Sequence, residues 1–152
     1  VCPYRRIYYR GNLSKIFPKF SHRKNMNQKL IETAINMREK SHSPFSNYRV
    51  GAAVETKSGK IIGGCNVESS SYGLTCCAER TALFRAVAEG HTLFKAMAVA
   101  TENSGTPCGA CRQVIWDLCR EIPIHICDKN GWVKTVSSAE LLPDAFDETQ
   151  LT

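Results

Sequence analysis

The sequence predicts one α/β domain in which a mixed sheet of about five strands is covered by helices on both faces. Helical and extended patterns follow one another after residue 26 in the order helix, strand, strand, helix, strand, helix, strand, strand, helix. The length of 152 residues suits a single hydrophobic core. A hydrophobic content of 43% and a charged content of 22% are ordinary for a globular domain. Since no apolar run approaches the roughly 20 residues of a membrane-spanning helix, no membrane partner is expected.

The N-terminal half contains a predicted helix and a predicted hairpin. Apolar residues recur at helical spacing from Asn27, and the helix should end near residues 41–43 because Pro44 disfavours helix in its predecessor. Residues 50–55 and 60–67 have the character of strands, and Ser58 and Gly59 between them form a turn. These two strands are expected to pair as an antiparallel hairpin.

The C-terminal half supplies the remaining elements. The helical pattern that begins at Cys77 stops before Gly90, and an apolar stretch without alternation over 96–101 predicts a strand buried on both faces. Later patterns predict a helix over 108–119, strands over 122–127 and 132–136, and a short helix over 138–142. The helices that begin at 77 and 108 are therefore expected to start where the chain leaves the sheet.

The net charge of +6 is concentrated at the N-terminus. Seven of the 20 basic residues lie within residues 1–25, which contain no acid, so the rest of the chain has 13 basic and 14 acidic residues. The remaining domain is thus nearly neutral and offers no basic face for a phosphate backbone. A nucleic-acid partner is not expected.

Residues 1–25 form a basic leader that is separate from the domain predicted over 26–152. The leader is rich in Arg, Lys, Tyr and Phe and has neither an acid nor a clean helical period. Three interpretations are open: an organellar targeting segment, a basic arm for an acidic partner, or disordered upstream or cloning-derived sequence before a natural start at Met26. A dispensable leader is preferred over the arm.

The eight cysteines do not form a secreted disulfide pattern. A reducing compartment, the cytoplasm, is expected, with import directed by the leader as the alternative. Buried packing is expected for Cys65, Cys119 and Cys127. Cys76 is a less favoured alternative ligand, because adjacent helical residues point about 100° apart. Cys2 lies in the leader.

Two short motifs predict a catalytic zinc site. Cys77 stands two residues before Glu79, and Pro107 precedes the Cys108-x-x-Cys111 pair. Three thiolates leave the fourth position of tetrahedral Zn²⁺ open for water, which is the catalytic arrangement. A carboxylate two residues from a ligand can reach that water as a general base. All four histidines lie outside ligand spacing; they are His22, His42, His91 and His125.

Three thiolates also make the predicted site too negative to acidify water well. Helix N-termini with free amide groups would offset charge on the sulfur atoms. Arg80, next to Glu79, is a candidate donor to the thiolates. The alternative for Arg80 is an ion pair on the helix surface.

Residues 77–83 and 107–114 resemble the small three-cysteine cytidine deaminases, which act on free nucleosides. The resemblance runs from about 27 to 151 and includes the segments 50–53, 64–68 and 141–146. It implies a three-layer α/β/α cytidine deaminase-like fold, one Zn²⁺ per subunit and conversion of cytidine and deoxycytidine to uridine and deoxyuridine in pyrimidine salvage. It also implies a homotetramer with active sites shared between subunits.

The resemblance assigns further roles to individual residues. Asn66 and Glu68 match a ribose-binding pair, and strand alternation would aim both to one side. Ala78 would offer its backbone N–H to the base carbonyl, and Thr106, where the family more often has Ser, its backbone C=O to the exocyclic amine. Tyr48 stands where the family usually has Phe against the base, so its hydroxyl needs a partner. Two aromatic residues match positions at the shared site: Phe146, which closes over the pyrimidine of a neighbouring subunit, and Tyr72.

The implied reaction uses Glu79 as the proton carrier. Glu79 takes a proton from water, gives it to the ring nitrogen and later carries a proton to the amine, which leaves as ammonia. Two alternatives are a related deaminase for blasticidin S, a nucleotide or a polynucleotide, and a zinc-stabilised interaction module without activity. A redox role for Cys108 and Cys111 is disfavoured because it leaves Glu79 without a role.

Overall fold

The computed structural model describes residues 26–151, so the predictions for the basic leader and Cys2 lie outside the described residues. Two short 3₁₀ turns, Tyr72–Leu74 and Glu148–Leu151, accompany the main elements. The main helices and strands, in chain order, are α1 Gln28–Arg38, β1 Gly51–Thr56, β2 Ile61–Cys65, α2 Ala78–Ala88, β3 Phe94–Ala100, α3 Gly109–Cys119, β4 Pro123–Asp128, β5 Gly131–Ser137 and α4 Ser138–Leu141.

The five strands form one mixed sheet in the order β2-β1-β3-β4-β5. β1 is antiparallel to both β2 and β3, β3 is parallel to β4, and β4 is antiparallel to β5. The parallel pair is joined through α3, as a parallel connection requires a crossover. β3 lies at the centre and is buried except at Lys95, so the prediction of a strand covered on both faces is confirmed.

Alternating residues of β1 face two different hydrophobic clusters, which establishes the three layers. Ala53 belongs to the cluster that contains Leu30, Ile31 and Ala34 of α1. Ala52 and Val54 belong to the cluster that contains residues of α2 and α3, among them Ala82, Leu83, Ala86 and Ile115. Helices therefore cover both faces of the sheet, and the predicted α/β/α architecture is confirmed.

Two glycines allow helices to lie directly on the sheet. A Cβ atom at Gly51 would stand 2.1 Å from the carbonyl oxygen of Ala34 in α1. A Cβ atom at Gly64 would stand 2.4 Å from the backbone nitrogen of Ala82 in α2. Because real Cβ atoms do not approach backbone so closely, the absence of a side chain allows β1 to lie against α1 at Gly51 and β2 against α2 at Gly64. The first turn of α2 carries Glu79, so this contact also positions the site.

Side chains cap the N-termini of α1 and α4. The Asn27 side chain accepts a hydrogen bond from the Lys29 N–H at 3.2 Å and caps α1. Ser137 and Glu140 form a reciprocal capping box at α4. α1 ends at Arg38, a few residues before the predicted end, and the chain turns over 39–46 toward β1. None of the helices within residues 26–151 is long and apolar enough to cross a membrane.

Candidate active site

Three cysteine sulfur atoms converge at the start of α2 and α3. The Sγ atoms of Cys77, Cys108 and Cys111 all lie within 4.8 Å of one another, and Cys77 and Cys108 are 3.9 Å apart. A tetrahedral zinc with bonds to sulfur of about 2.3 Å would separate its ligands by about 3.8 Å. The donor set and its spacing therefore fit Zn²⁺. Within residues 26–151 no fourth Cys or His belongs to this group.

The sulfur cluster lies at the N-termini of two helices. Cys77 and Cys108 are the residues that precede α2 and α3, both with extended backbone, and Cys111 lies in the first turn of α3. Neither preceding residue makes a side-chain capping bond. The first N–H groups of each helix and its positive dipole end therefore favour negative charge on sulfur.

The contact between Cys77 and Cys111 shifts the pKa values of these two thiols in opposite directions. A hydrogen bond from Cys111 lowers the pKa of Cys77, and the contact with Arg80 lowers it further. The same Cys77 contact, together with burial, raises the pKa of Cys111. The cluster thus contains a sulfur atom that is deprotonated readily and one that is not, and metal binding to such thiols releases protons.

Glu79 is a buried carboxyl group beside the sulfur cluster, with only 4% of its surface exposed. Burial raises the pKa of this carboxyl group, and the charge of Cys77 raises it further. Glu79 borders the same cavity as Cys77 and Cys108. A carboxyl group whose pKa is shifted toward neutrality can accept and return a proton at physiological pH.

Arg80 points back toward the preceding loop and the sulfur cluster. Its Nη2 atom lies 3.1 Å from the carbonyl oxygen of Thr75 and 3.6 Å from the sulfur of Cys77. No acidic residue of the described chain pairs with Arg80. Arg80 therefore contacts a sulfur atom of the cluster and forms no ion pair with the described residues.

A cavity of about 180 Å³ lies against the cluster and brings together most of the predicted site. Val50, Val99 and Thr101 contribute part of its wall. The sequence-predicted residues that line it are Tyr48, Asn66, Glu68, Cys77, Glu79, Thr106 and Cys108. Cys111 is fully buried, and so is Ala78, the first residue of α2.

Asn66 is held by hydrogen bonds that leave little of its side chain exposed. Its Oδ1 accepts from the Val50 N–H at 2.9 Å, and its Nδ2 donates to the Tyr48 carbonyl at 2.8 Å. β2 ends at Cys65, before its predicted limit, but Val67 continues to pair through isolated bridges to His42 and Cys76. The backbone groups of Asn66 and Glu68, on either side of Val67, both bond to His42, and both residues line the one cavity.

Glu68 is oriented by the loop before β1. Its carboxylate accepts from the backbone N–H groups of Phe45 at 2.8 Å and Ser46 at 3.2 Å, and from the Ser46 hydroxyl. The Ser46 hydroxyl contributes most to lowering the pKa of Glu68. The carboxylate is therefore charged at the cavity. Ser46 was not singled out from the sequence, because a serine between Pro44 and Asn47 has the character of an ordinary turn residue.

Thr106 lies in a loop that side chains hold at both ends. The Tyr48 hydroxyl, which required a partner, donates to Oδ1 of Asn103 at 2.8 Å. The guanidinium group of Arg112 donates to the Thr106 hydroxyl at 3.1 Å and to the Pro107 carbonyl at 2.8 Å. Sequence reasoning assigned no role to Asn103 or Arg112. The position of Arg112, one residue after a predicted ligand, was the available signal.

Phe146 and Tyr72 do not line the cavity of their own chain. Phe146 is 57% exposed, and its carbonyl accepts a hydrogen bond from Gln113. Tyr72 is 77% exposed and packs edge-on against Phe45, with ring centroids 6.2 Å apart. A role for either ring would therefore require another subunit or a movement of the loop.

The remaining cysteines are separate from the cluster. Cys119 and Cys127 are buried, as predicted. The prediction of burial is wrong for Cys65, which is partly exposed and donates to the Lys40 carbonyl. Cys76 receives a hydrogen bond from Thr81 and is not a member of the sulfur cluster.

Comparison with known proteins identifies relatives that match most of the chain. The model of the cytidine and deoxycytidylate deaminase zinc-binding region matches residues 24–125. The chain is 43% identical to a cytidine deaminase of Sporosarcina psychrophila, over 82% of this chain and 94% of the relative. It is 53% identical to a probable cytidine deaminase of Dictyostelium discoideum, over 82% of this chain and 86% of that relative. A crystal structure of cytidine deaminase from Burkholderia pseudomallei superposes with a TM-score of 0.76 and 48% identity, covering 80% of this chain and all of that one.

Proposed function

The chain belongs to the cytidine deaminase family, and from this membership we propose that it catalyses the zinc-dependent hydrolytic deamination of cytidine and deoxycytidine. The products are uridine or deoxyuridine and ammonia, a reaction of pyrimidine salvage. One observation carries the proposal: a buried carboxyl group, Glu79, and two sulfur atoms of a three-cysteine cluster border the same cavity. Neither a structural metal site nor an interaction module requires such a carboxyl group.

Cys77, Cys108 and Cys111 would hold the zinc ion. When bound, Zn²⁺ supplies an open coordination position at which water loses a proton near neutral pH. The helix N-termini and Arg80 offset the negative charge of the three sulfur ligands. This assistance is needed because three thiolates otherwise make the site a weak Lewis acid.

Glu79 moves the protons of the reaction. It accepts a proton from water and delivers it to the ring nitrogen of cytosine while the water oxygen bonds to C4. It then carries the remaining proton of that oxygen to the amino group, whose bond to C4 breaks as ammonia leaves. Burial keeps this carboxyl group away from bulk solvent and raises its pKa, which favours its holding a proton between the two transfers. The transfers require no other titratable side chain of the described cavity.

The remaining polar groups of the cavity would recognise the nucleoside. Asn66 and Glu68 would bind the ribose hydroxyls, since an amide and a carboxylate offer complementary donors and acceptors. Ala78 N–H and Thr106 C=O would bind the base, and the Tyr48 ring would lie against it. The charge of Glu68 would repel a phosphate group, which favours a free nucleoside over a nucleotide.

A homotetramer with shared active sites is part of the proposal. Phe146 and Tyr72 are exposed and lie outside the cavity of their own chain, as expected of rings that complete the site of a neighbouring subunit. The exposed Phe45 and Tyr72 rings are adjacent to Ser46 and Glu68 at the cavity mouth. Sedimentation analysis of the full chain, and loss of cytidine turnover in Phe146→Ala, would test this part.

The central experiment measures ammonia release from cytidine, deoxycytidine, cytidine monophosphate and a cytosine oligonucleotide by the zinc-loaded full chain. The two nucleosides should dominate, and a chelator should abolish turnover that added Zn²⁺ restores. Glu79→Gln should retain zinc and its melting temperature but lose about 10²–10⁴-fold in kcat. Glu121→Gln, at an exposed acid remote from the cavity, is the matched control. Undiminished turnover in Glu79→Gln, or preference for the nucleotide, would contradict the proposal.

A further inference from the structure

We infer that the Tyr48 hydroxyl is a positioning group that fixes the loop over residues 101–106 and thereby makes Thr106 selective for the amino group of cytosine. The inference rests on the proposed function, because it concerns how the same cavity recognises its substrate. It differs from the role of the Tyr48 ring, since only the hydroxyl and the loop are involved.

One amide oxygen connects two segments that are distant in sequence. Tyr48 precedes β1, and Asn103 follows β3 in the loop toward α3. The Tyr48 hydroxyl donates to Oδ1 of Asn103 at 2.8 Å, and the Thr101 hydroxyl approaches the same oxygen at 3.3 Å. The Thr101 hydroxyl in turn accepts from the Gly105 N–H at 2.6 Å. Tyr48 thus closes a chain of hydrogen bonds that spans the loop.

Gly105 is adapted to the Tyr48 hydroxyl. A Cβ atom at position 105 would stand 2.6 Å from the Tyr48 oxygen, while its next neighbours, Oγ1 of Thr101 and Oδ1 of Asn103, would be at 3.4 and 3.5 Å. Of these three atoms, only the Tyr48 hydroxyl would clash with a side chain at position 105. Gly105 is also not among the residues with positive φ, so its backbone does not itself demand glycine. The absent side chain makes room for the hydroxyl and its bond to Asn103.

The loop needs such a restraint because of its backbone. Ser104 has a φ of 56°, a left-handed conformation that is uncommon for a residue with a side chain. Thr106 follows immediately after Gly105, and both Tyr48 and Thr106 line the cavity. Arg112 holds Thr106 and Pro107 from the other side. Tyr48 and Arg112 together determine where the Thr106 carbonyl points.

The chemistry of a carbonyl group explains the selectivity. A carbonyl oxygen accepts a hydrogen bond from the C4 amino group of cytosine but meets a second acceptor at C4 of uracil. A well-positioned Thr106 carbonyl therefore favours substrate over product. When the Tyr48 hydroxyl is removed and the loop is less restrained, binding of cytidine should weaken while binding of uridine should not.

The experiment compares Tyr48→Phe, Asn103→Ala, Gly105→Ala and the two double variants that contain Tyr48→Phe. For each zinc-loaded variant, kcat and KM for cytidine and the competitive inhibition constant of uridine are measured, with thermal melting to confirm folding. Tyr48→Phe should raise KM for cytidine about three- to tenfold, the effect of one lost hydrogen bond. Its kcat and the uridine constant should stay within about twofold.

The double variants are the matched controls. In the Asn103→Ala background the hydroxyl has lost its acceptor, so Tyr48→Phe should cause no further rise in KM. Gly105→Ala should raise KM by displacing the hydroxyl, and the double variant with Tyr48→Phe should be no worse than Tyr48→Phe alone. Unchanged KM in Tyr48→Phe, effects that multiply, or an equal loss of uridine binding would overturn the inference. Turnover of cytidine by the unaltered chain tests the proposed function separately.

Discussion

Arg80 Nη2 lies 3.6 Å from the sulfur of Cys77 within the first turn of α2, and the same nitrogen donates to the Thr75 carbonyl. The guanidinium group therefore links the loop before α2 to a sulfur atom of the proposed zinc site. Its positive charge lowers the pKa of Cys77, which favours the thiolate that would bind a metal, and offsets part of the negative charge on sulfur. The proposed site would have three sulfur ligands and no neutral histidine ligand, so a nearby positive charge would matter to its chemistry.

Loss of the Arg80 charge should weaken both metal binding and catalysis. We expect Arg80→Gln to lower zinc affinity and kcat each about 10- to 100-fold, the usual effect of removing a partner of a metal ligand. Zinc affinity is measured by competition with a chromophoric chelator and kcat by ammonia release. Arg49→Gln, which removes a guanidinium group with 54% exposure, is the matched control. Equal zinc affinity in the two variants would show that Arg80 has no influence on the sulfur cluster.

The contact between Gly64 and α2 should tolerate no side chain. Gly64→Ala would place Cβ 2.4 Å from the Ala82 nitrogen and 2.9 Å from the Ala78 carbonyl oxygen. Both are backbone atoms that cannot rotate away, so we expect a loss of about 1–3 kcal/mol or more in the free energy of unfolding. Gly109→Ala, which meets nothing within 4 Å, is the matched control and should not destabilise. Equal urea midpoints for the two variants would contradict this packing.

Glu68 should make part of the stability depend on pH. Its pKa is lowered mainly by the Ser46 hydroxyl, so the folded state binds a proton less readily than the unfolded chain. The stabilisation is therefore present above the unfolded pKa and is lost as pH falls through the folded pKa. Ser46→Ala should lower the melting temperature near pH 6, and the difference from the unaltered chain should shrink near pH 3.5.

Ser70→Ala, which removes an exposed hydroxyl two residues from Glu68, is the control for that measurement. Its melting temperature should follow that of the unaltered chain at both pH values. A deficit in Ser46→Ala that stays constant with pH would mean that the hydroxyl supports the loop without acting on the carboxylate.

The buried cysteines should resist alkylation. Burial raises the pKa of Cys119 and of Cys127 to about 12, and the thiolate is the reactive form. Treatment of the zinc-loaded protein with iodoacetamide near pH 8, followed by peptide mass spectrometry, should modify the partly exposed Cys65 and leave these two intact. All three should react in urea. Labelling of Cys127 as fast as Cys65 would show that β4 opens readily in the native state.

The order of helices and strands could be predicted because each depends on local patterns. The apolar stretch of β3 and the helices that begin after Cys77 and Cys108 fall within a few residues of their predicted places. The end of β2 could not be predicted, because the Asn66 side chain, in place of backbone groups, bonds to the Val50 N–H and the Tyr48 carbonyl. The exposure of Cys65 likewise depends on which loop covers that edge of β2.

The sequence by itself determined the chemistry of this protein. The spacing of Cys77, Glu79, Cys108 and Cys111 specifies three sulfur donors and a carboxyl group, and side-chain identity alone decides what such a set can bind. Only the tertiary structure decided how the cavity around them is held. Tyr48, Asn103 and Gly105 come from two segments, and no periodic pattern relates them. Their hydrogen bonds and close contacts exist only after the sheet brings β1 beside β3, which is why such partners escape a reading of sequence.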